Sequence, residues 1–495
     1  MTPAVADDLD FALEMFPEEQ AFLRERMQKP QRHRLLHGYP LAAAMHRRTG
    51  DCYADLRFDP AAGRRLLVGV LPHPFCNPAV AGCGFCTFPH EAFNAARSAA
   101  VVQHVIQEIT QRLQHDPGLQ RRPVAGLYFG GGTANLTPPA SFRQLCQALH
   151  AAFDFSSAEV TLEGVPAYFT RRPELLDILR EELPARHYRL SMGVQTFDEH
   201  RLRQMGRQAF GTPVTFHEVV ELGHRHGCTV SADLLFNLPH QTLEQMEADL
   251  EQALDIGLDH LGLYHLVMFK GLGTAWAQQP EMLAGLPSNE EACERWRSLH
   301  GVLLANGFYQ TTLTNFERWD LRNRDRRFQY EESSFQPDRF EMLGFGPSAI
   351  SSFASPAFTT GLKTLNPTKA EDYMAAVRSR ATPWDHFFRY QARDLRVFYL
   401  TRRLAALGID LAAYRQLFGS DAMLDFLPEL MALEDEGLLE ATATAIRPTP
   451  RGMFYADAVA SLLAWRQIMK MRLKAPVRQR DEPEEDIHSN ERRFM

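Results

Sequence analysis

The sequence predicts an α/β fold: a partial, TIM-like (β/α)6 barrel with an N-terminal extension and a C-terminal, mostly helical domain of winged-helix type. Six short apolar runs alternate with amphipathic stretches between about residues 66 and 270. Strands that alternate with helices in this way pair in parallel, and six units of this length favour an open or partial barrel over a flat sheet. Beyond residue 270 the alternation of apolar runs with amphipathic stretches stops, and after about residue 381 the pattern is helical.

The six predicted strands are short and mostly apolar. They lie at residues 66–71, 126–133, 158–164, 188–195, 229–236 and 260–266, and the second runs into a glycine turn. Between the first two strands, Val101, Val105 and Ile109 fall on one face of a predicted helix. Further helices are predicted at about residues 138–153 and in a segment that ends near Asn306. Function in parallel α/β folds gathers at the C-terminal ends of the strands, so we expect the active site there.

These patterns divide the chain into five segments. We predict an N-terminal extension (1–65), the barrel core (66–270), an extension of that core (271–380), the C-terminal helical domain (381–471) and a charged tail (472–495). The tail is dense in charge and is predicted to be disordered.

Composition argues against several classes of protein. Seven cysteines in 495 residues are too few for a disulfide scaffold, so a reducing cytoplasm is the expected compartment. The first residues lack the basic start and apolar run of a secretory signal, and no later stretch offers about 18 uninterrupted apolar residues. A formal net charge of -8 argues against a general nucleic-acid binder. We therefore expect a cytoplasmic protein with no membrane span and no nucleic-acid partner.

Three of the cysteines, Cys76, Cys83 and Cys86, lie together in "CNPAVAGCGFC", directly after the first predicted strand. A closed structural zinc site needs a fourth ligand, for which only His73 or His90 is near. An iron-sulfur cluster held by three thiolates would leave one iron open for chemistry. The spacing alone leaves zinc and a cluster open, with simple burial as a third alternative. The remaining cysteines are isolated and are predicted to be ordinary thiols: Cys52, Cys146, Cys228 and Cys293.

Glycines and one isolated acid mark the ends of later strands. Gly130, Gly131 and Gly132 suit a tight strand-to-helix turn, and they also suit a close approach of the backbone to a ligand. Asp233 stands between apolar neighbours in "SADLLF" and needs a hydrogen-bonding partner if it is buried.

Six motifs, in this order, make the chain resemble a known family. They are "PFCNPAVAGCGFC", "GGGTANLTP", "LEGVP", "LSMGVQTFDEHRLRQMGR", "ADLLFNLPHQTLEQMEADLEQALDIGLDHLGLY" and "LGFGPSAIS", and they span about residues 66–355. The chain resembles the radical SAM superfamily, and within it the oxygen-independent coproporphyrinogen III oxidase-like branch. Its end also looks like the C-terminal domain of that branch, and residues 271–380 correspond to the substrate-pocket region.

The resemblance implies two cofactors, a 4Fe-4S cluster and S-adenosylmethionine. By the matching motif, Cys76, Cys83 and Cys86 are the cluster ligands, and the fourth iron chelates the amino and carboxylate groups of S-adenosylmethionine. One-electron reduction then yields a 5'-deoxyadenosyl radical that abstracts a substrate hydrogen. The resemblance also implies a low-potential electron donor, such as flavodoxin or ferredoxin, as a partner.

The remaining site residues follow from the same motifs. Gly131, Gly132 and Thr133 are expected at the methionine moiety of the cofactor, and Glu163 is expected to accept from a cationic or hydroxyl group. The other positions are expected to hold the ribose and carboxylate or to border the adenine or substrate pocket: Gln195, Arg207, Asp233, Leu235 and Ile350.

The chain departs from the family pattern at four places, one of which is "TF" after Cys86, where the family often has a further cysteine. Six residues, rather than the usual three, separate Cys76 from Cys83, and we expect this longer loop to form a wall of the substrate pocket. Val70 stands where the family has a tyrosine, which removes an aromatic contact to the cofactor. Glu331 and Glu332 lie near functional positions in a stretch that differs from the family, so we expect a diverged substrate pocket.

Three functions remain compatible with the resemblance. The branch most directly implies oxidative decarboxylation of the propionates of a tetrapyrrole. Other relatives transfer a methyl or methylene group to a natural product or tetrapyrrole with two molecules of S-adenosylmethionine. A third alternative, of another class, is a haem-binding chaperone. In the first two the partner is a small-molecule substrate.

Overall fold

A computed structural model of the chain describes residues 16–32, 38–48, 59, 62–77, 83–379 and 382–474. Within these residues one sheet of thirteen strands carries the fold. Its strands in chain order are β1 His46–Arg47, β2 Arg65–Val70, β5 Val124–Phe129, β6 Glu159–Gly164, β7 His187–Gln195, β8 Thr229–Phe236, β9 His260–His265, β10 Phe308–Gln310, β11 Asn315–Arg318, β12 Phe340–Phe345, β13 Ile350–Ala354, β14 Gly361–Leu365 and β15 His386–Tyr390. A separate pair consists of β3 Phe75–Cys76 and β4 Glu91–Ala92.

The centre of the large sheet is parallel, in the order β12-β2-β5-β6-β7-β8-β9. Six of these strands are the predicted ones, so the predicted α/β architecture is confirmed. The seventh, β12, comes from the predicted extension of the core and pairs with β2 along its whole length. Antiparallel strands continue the sheet on both sides, with β11 and β10 beyond β9 and with β13, β14, β15 and β1 beyond β12.

Helices connect the parallel strands and cover the outside of the sheet. The helices are α1 Pro17–Gln28, α2 Ala95–His115, α3 Pro139–Ala152, α4 Pro166–Arg171, α5 Glu174–Glu182, α6 Glu199–Gln204, α7 Pro213–Arg225, α8 Leu243–Asp255, α9 Pro280–Ala284, α10 Asn289–Ala305, α11 Trp319–Asn323, α12 Gln329–Ser334, α13 Ala370–Ser379, α14 Ala392–Ala405, α15 Leu411–Phe418, α16 Ala422–Asp425, α17 Leu427–Asp435, α18 Pro450–Phe454 and α19 Ala456–Lys474. Val101, Val105 and Ile109 are buried on α2, and α10 ends where the sequence predicts.

Residues on the parallel strands alternate between two environments. Residues such as Val160, Leu190 and Val230 are apolar and fully buried. Their neighbours one residue away are polar, and Arg189 on β7 donates through Nη2 to Ser231 Oγ on β8 at 2.6 Å. Alternate residues of a strand point to opposite faces, so one face of the parallel sheet is apolar and the other is polar. We call the space enclosed by the polar face the lumen.

The lumen is partly filled by α12. A Cβ on Gly126 of β5 would lie 3.1 Å from Tyr330 Cβ, so this short helix lies against the strands. The amide of Gln329 donates to Glu159 Oε2 at 2.5 Å, at the start of β6. Phe328 covers the Arg189 guanidinium, 3.4 Å from ring centre to Cζ. This short helix and Phe328 therefore occupy the lumen near the N-terminal ends of β6 and β7.

The C-terminal region is helical and carries a small sheet. Its strands are β16 Ile409–Asp410, β17 Leu439–Ala441 and β18 Ala445–Pro448, which pair antiparallel in the order β16-β18-β17. This combination of helices and a small wing-like sheet agrees with the predicted winged-helix type. Strand β15 also lies beyond residue 381, but it pairs with β14 of the large sheet. Within the predicted tail, α19 extends to Lys474, and residues 475–495 lie outside the described part.

Among the residues that the structure describes, no helix combines the length and the apolar character needed to cross a membrane.

Candidate active site

The three clustered cysteines lie at the C-terminal end of the parallel strands. Cys76 ends β3, which follows β2 after a short loop, and Cys76 and Cys83 both pack against an apolar group that includes Tyr168 and Phe210. The amide of Cys86 donates to the Cys83 carbonyl at 3.0 Å, so these two residues share one turn. Residues 78–82 of the longer loop lie outside the described part, so its predicted role as a pocket wall stays a prediction.

Two of the sulfur atoms accept hydrogen bonds from predicted site residues. Thr133 Oγ1 donates to Cys76 Sγ at 3.3 Å, and Arg207 Nη1 donates to Cys83 Sγ at 3.1 Å. Burial raises the pKa of Cys86 to about 11. Such thiols become thiolates when a cation binds them, and hydrogen bonds from a hydroxyl and a guanidinium stabilise the added negative charge.

The geometry of the loop fits a cluster better than a single ion. Within the described residues, no group of three His, Cys, Asp or Glu side chains is arranged to hold one metal ion, so His73 and His90 do not complete a zinc site. The thiolates of a 4Fe-4S cluster bind different irons, so its ligands do not converge on one point. The three thiols lie close enough to one another to interact electrostatically, and hydrogen-bond donors flank two of them.

The glycine turn after β5 lies directly against the strand that carries Cys76. Gly131 has φ +111°, which L-amino acids with a side chain rarely adopt. A Cβ on Gly132 would lie 2.7 Å from the carbonyl oxygen of Phe75. The tight turn predicted from the glycines is therefore present and packs against the cysteine strand, and their approach to a ligand stays a prediction.

Glu163 and Asp233 bring two carboxylates into the lumen. Glu163 lies near the end of β6, and its Oε2 would be 2.9 Å from a Cβ on Gly130. Burial raises the pKa of Glu163 to about 7, and the nearby Asp233 carboxylate adds to the effect. Burial likewise raises the pKa of Asp233 to about 6, against the opposing attraction of Arg189 and Arg207. We call the region of these two carboxylates the upper lumen.

Gln195 and Arg207 meet Asp233 around Gly193. A Cβ on Gly193 would lie 2.9 Å from Gln195 Nε2 and 3.0 Å from Arg207 Nη2. Gly193 is paired across the strands with Asp233, and the register of β7 and β8 shifts at this point. The shift and the positive φ of Gln195, 75°, end the strand irregularly.

The two predicted apolar site residues lie in different places. Leu235 packs with Phe85, the neighbour of Cys86, in an apolar group that also contains Met268 and Trp276. Ile350, at the start of β13, is 45% exposed and lines a separate cavity described below. The structure thus gathers all the predicted site residues except Ile350 around the cysteines and the upper lumen.

Glu331 and Glu332 point in opposite directions. Glu331 accepts from Asn315 Nδ2 at 3.2 Å, and burial raises the pKa of its carboxyl group. Glu332 pairs with Arg322 at 3.3 Å. Glu331 is therefore the one that faces the lumen.

Arg189 is a central residue that the sequence analysis missed. It donates to His260 Nδ1 at 3.2 Å as well as to Ser231, and its charge opposes the raised pKa of both Glu163 and Asp233. The signal was present in "HYRLSMGVQ", because a charged residue inside a strand bounded by apolar neighbours must find partners once it is buried.

Comparisons with known proteins agree with this site. Residues 70–253 match the radical SAM superfamily, and residues 403–455 match the HemN C-terminal domain. The haem chaperone HemW of Bacillus subtilis is 24% identical over 397 residues, which are 78% of this chain and 96% of that protein. The match to HemW of Lactococcus lactis, at 26% identity, covers 49% of this chain and only 60% of that protein.

Two further likenesses concern other members of the same group. The anaerobilin synthase of Escherichia coli O157:H7 is 34% identical over 209 residues, 42% of this chain and 44% of that protein. The solved structure of the coproporphyrinogen III oxidase HemN of Escherichia coli, a radical SAM enzyme, superposes with a TM-score of 0.66 at 22% identity, over 81% of this chain and 90% of that chain. The last likeness shows the fold alone.

Proposed function

We propose that this chain, which carries a radical SAM domain and a HemN C-terminal domain, is an enzyme that cleaves S-adenosylmethionine reductively and acts on a tetrapyrrole substrate. A radical SAM domain implies a 4Fe-4S cluster and S-adenosylmethionine. When both are bound, they supply a 5'-deoxyadenosyl radical. The observation that carries the proposal is the meeting of the cysteine loop with Thr133 and Arg207 directly above two lumen carboxylates.

The residues of the chain would hold and orient the two cofactors. Cys76, Cys83 and Cys86 would hold the cluster, while the upper lumen offers Glu163 and Asp233 to a cationic sulfonium compound with ribose hydroxyls. A hydrogen bond between a charged and a polar group is worth roughly 1.5–3 kcal/mol, so two carboxylates can fix the cofactor in one orientation. The tight glycine turn supports this orientation, because Gly132 keeps the turn against the Cys76 strand.

Apolar side chains around the loop would keep water from the reacting atoms. Phe85, the neighbour of Cys86 in the chain, packs with Leu235 and Trp276. The Trp276 ring lies so close to Gly84 that a Cβ there would be 2.3 Å from Trp276 Nε1. A reactive radical needs such exclusion, because water and oxygen divert it into side reactions.

The reaction we favour is oxidative decarboxylation of tetrapyrrole propionates. Transfer of a methyl or methylene group is the second enzymatic alternative. The test is anaerobic incubation of the reconstituted, reduced protein with S-adenosylmethionine and coproporphyrinogen III, followed by mass spectrometry. Loss of carbon dioxide from the tetrapyrrole supports decarboxylation, and a gain of one carbon supports transfer.

A haem-carrying role is the second candidate of another class, favoured by the likeness to HemW over 96% of that protein's length. The same incubation distinguishes it. Stable binding of haem with no 5'-deoxyadenosine and no altered tetrapyrrole would contradict the enzymatic proposal and support the carrier.

A further inference from the structure

Beside the lumen lies a second cavity with a volume of about 150 Å³. It is bounded by the antiparallel strands β12 to β15 on one side and by α14 and the end of α12 on the other. Its apolar wall includes Met342, Phe353 and Phe398, and its polar wall is formed by Ser352, Lys363 and Arg402. We call it the lateral cavity.

Lys363 is buried in this cavity and pairs with none of the described carboxylates. The residue is 6% exposed, and its Nζ donates to the carbonyl oxygens of Gly38 at 2.6 Å and Pro40 at 2.9 Å. No carboxylate in the described part of the chain lies within ion-pair distance of Nζ. Burial, and then the nearby charge of Arg402, lower the pKa of Lys363 to about 7. An uncompensated buried ammonium is costly, and an arriving anion would remove that cost.

Arg402 adds a second cation to the same wall. Its Nε donates to the Ser334 carbonyl at 3.1 Å, and its guanidinium lies 4.4 Å from the Phe335 ring centre. The Glu331 carboxylate partly balances this charge from the lumen side. Among the described lining residues the balance is positive, because Lys363 and Arg402 are charged and none of the others is acidic.

The size and position of the lateral cavity restrict what can bind. A volume of about 150 Å³ corresponds to roughly five water molecules and cannot hold a whole macrocycle, but it can hold a short carboxylate arm. Ile350, half-exposed in the same wall, starts β13 just after the C-terminal end of the parallel strand β12. This is the end of the barrel where the cysteines lie, so a ligand above the barrel can reach the cavity through this mouth.

We propose that the lateral cavity is the specificity subsite that takes one carboxylate arm of the substrate, with Lys363 and Arg402 as its recognition groups. This inference rests on the proposed function for the identity of the substrate class. The arm would lie along Met342 and Phe398 with its carboxylate against the two cations. Such a subsite orients the remainder of the molecule over the upper lumen, where the chemistry takes place.

The test is equilibrium binding to the cluster-loaded protein, measured by fluorescence, with two probes: coproporphyrin III, which carries four carboxylates, and its tetramethyl ester, which carries none. The wild-type protein should bind the acid at least tenfold more tightly than the ester. Lys363→Met should abolish this preference, whereas Lys470→Met, an exposed lysine on α19, should retain it. If Lys363 has only a structural role, Lys363→Met should lower the affinity for both probes equally.

A second variant keeps the test decisive if Lys363→Met does not fold. Met342→Trp keeps both cations but fills the cavity, and it should also abolish the preference for the acid. An unchanged preference in either folded variant, equal weakening of both probes, or no preference in the wild type would overturn the proposal. Cleavage of S-adenosylmethionine without tetrapyrrole is measured on the same samples. Its absence in the wild type would contradict the proposed enzymatic function without affecting the binding result.

Discussion

The upper lumen is distinguished by two buried carboxylates, and the neighbouring lateral cavity by two buried cations. The upper lumen contains Glu163 and Asp233, and burial raises the pKa of both. The lateral cavity contains Lys363 and Arg402, and burial lowers the pKa of both. Each space thus keeps charged groups at a desolvation cost that a ligand of the opposite sign would remove. Because the carboxylates and the cations lie in different spaces, one barrel could bind a cationic cofactor and an anionic substrate at separate places.

The largest effect should come from the cysteine loop. Cys83→Ala should abolish the cluster and all 5'-deoxyadenosine formation, because a ligand and the acceptor of the Arg207 hydrogen bond are both lost. The wild-type protein should carry about four irons per chain and absorb broadly near 400 nm. Iron analysis and absorbance measure this. The affinity for coproporphyrin III should stay within about twofold, because Cys83 is not among the residues that line the lateral cavity.

Cys146→Ala is the matched control for this prediction. Cys146 is fully buried on α3, away from the loop, so its replacement should leave the iron content intact. Zinc without iron in the wild type, or an equal loss of iron in both variants, would contradict the assignment of the cysteines.

The carboxylates of the upper lumen should give the next largest effect. Glu163→Gln or Asp233→Asn should keep the iron but reduce 5'-deoxyadenosine formation roughly 10- to 100-fold, as expected for a charged hydrogen bond worth about 1.5–3 kcal/mol. Glu332→Gln, which changes an acid that pairs with Arg322 instead, should have little effect. Normal cleavage rates in both folded lumen variants would reduce Glu163 and Asp233 to structural residues.

The two regions should respond to pH in opposite directions. The raised pKa values of Glu163, about 7, and Asp233, about 6, mean that both carboxyls are mostly neutral at pH 5 and ionised at pH 8. Affinity for the cationic S-adenosylmethionine should therefore increase with pH through this window, by at most about tenfold per pH unit for each proton released. Glu163→Gln should remove one of the two titration steps. Affinities can be measured by calorimetry under anaerobic conditions.

Ligand affinity at the lateral cavity should depend on pH in the opposite direction. The lowered pKa of Lys363, about 7, means that its positive charge is lost above neutral pH, and a bound carboxylate would shift that loss upward. Affinity for coproporphyrin III should therefore decrease as pH rises toward 9. If the affinities for S-adenosylmethionine and coproporphyrin III change with pH in the same direction, the proposed difference between the two regions is contradicted.

The smallest effect should come from Thr133. Thr133→Val removes the hydrogen bond to Cys76 Sγ, which stabilises the more negative, reduced cluster. Loss of a hydrogen bond worth roughly 0.5–1.5 kcal/mol should lower the midpoint potential of the cluster by about 20–60 mV. Anaerobic redox titration followed by electron paramagnetic resonance measures the potential. A potential equal to that of the wild type would show that the threonine does not tune the cluster.

The strands and most of the site could be predicted because their signals are local. Each of the six strands is a short apolar run, and the cysteines, glycines and Glu163 lie at strand ends where sequence order fixes their neighbourhood. The seventh parallel strand, β12, was not predicted as part of the barrel. Its partner β2 is about 270 residues earlier in the chain, and no local pattern encodes such a pairing.

The lateral cavity could not be predicted for a related reason. In "GLKTL" Lys363 resembles the lysine of an exposed edge strand, where such a charge prevents aggregation. The structure covers it with α14 and with the carbonyls of Gly38 and Pro40, which come from more than 300 residues away. Arg189 differs, because its strand neighbours already predicted burial.

The first described helix, α1, packs against the last one, α19. Phe22 of α1 stacks on Trp465 of α19 at 4.7 Å, and Arg26 pairs with Asp457 and donates to Ser461 Oγ at 3.1 Å. About 430 residues separate the two helices. At a translation rate of about 5–20 residues per second, the apolar side of α1 waits roughly 20–90 seconds on the ribosome before its partner exists. Until the last helix has been synthesised, Phe22 and Arg26 therefore lack the partners that hold them in the folded protein.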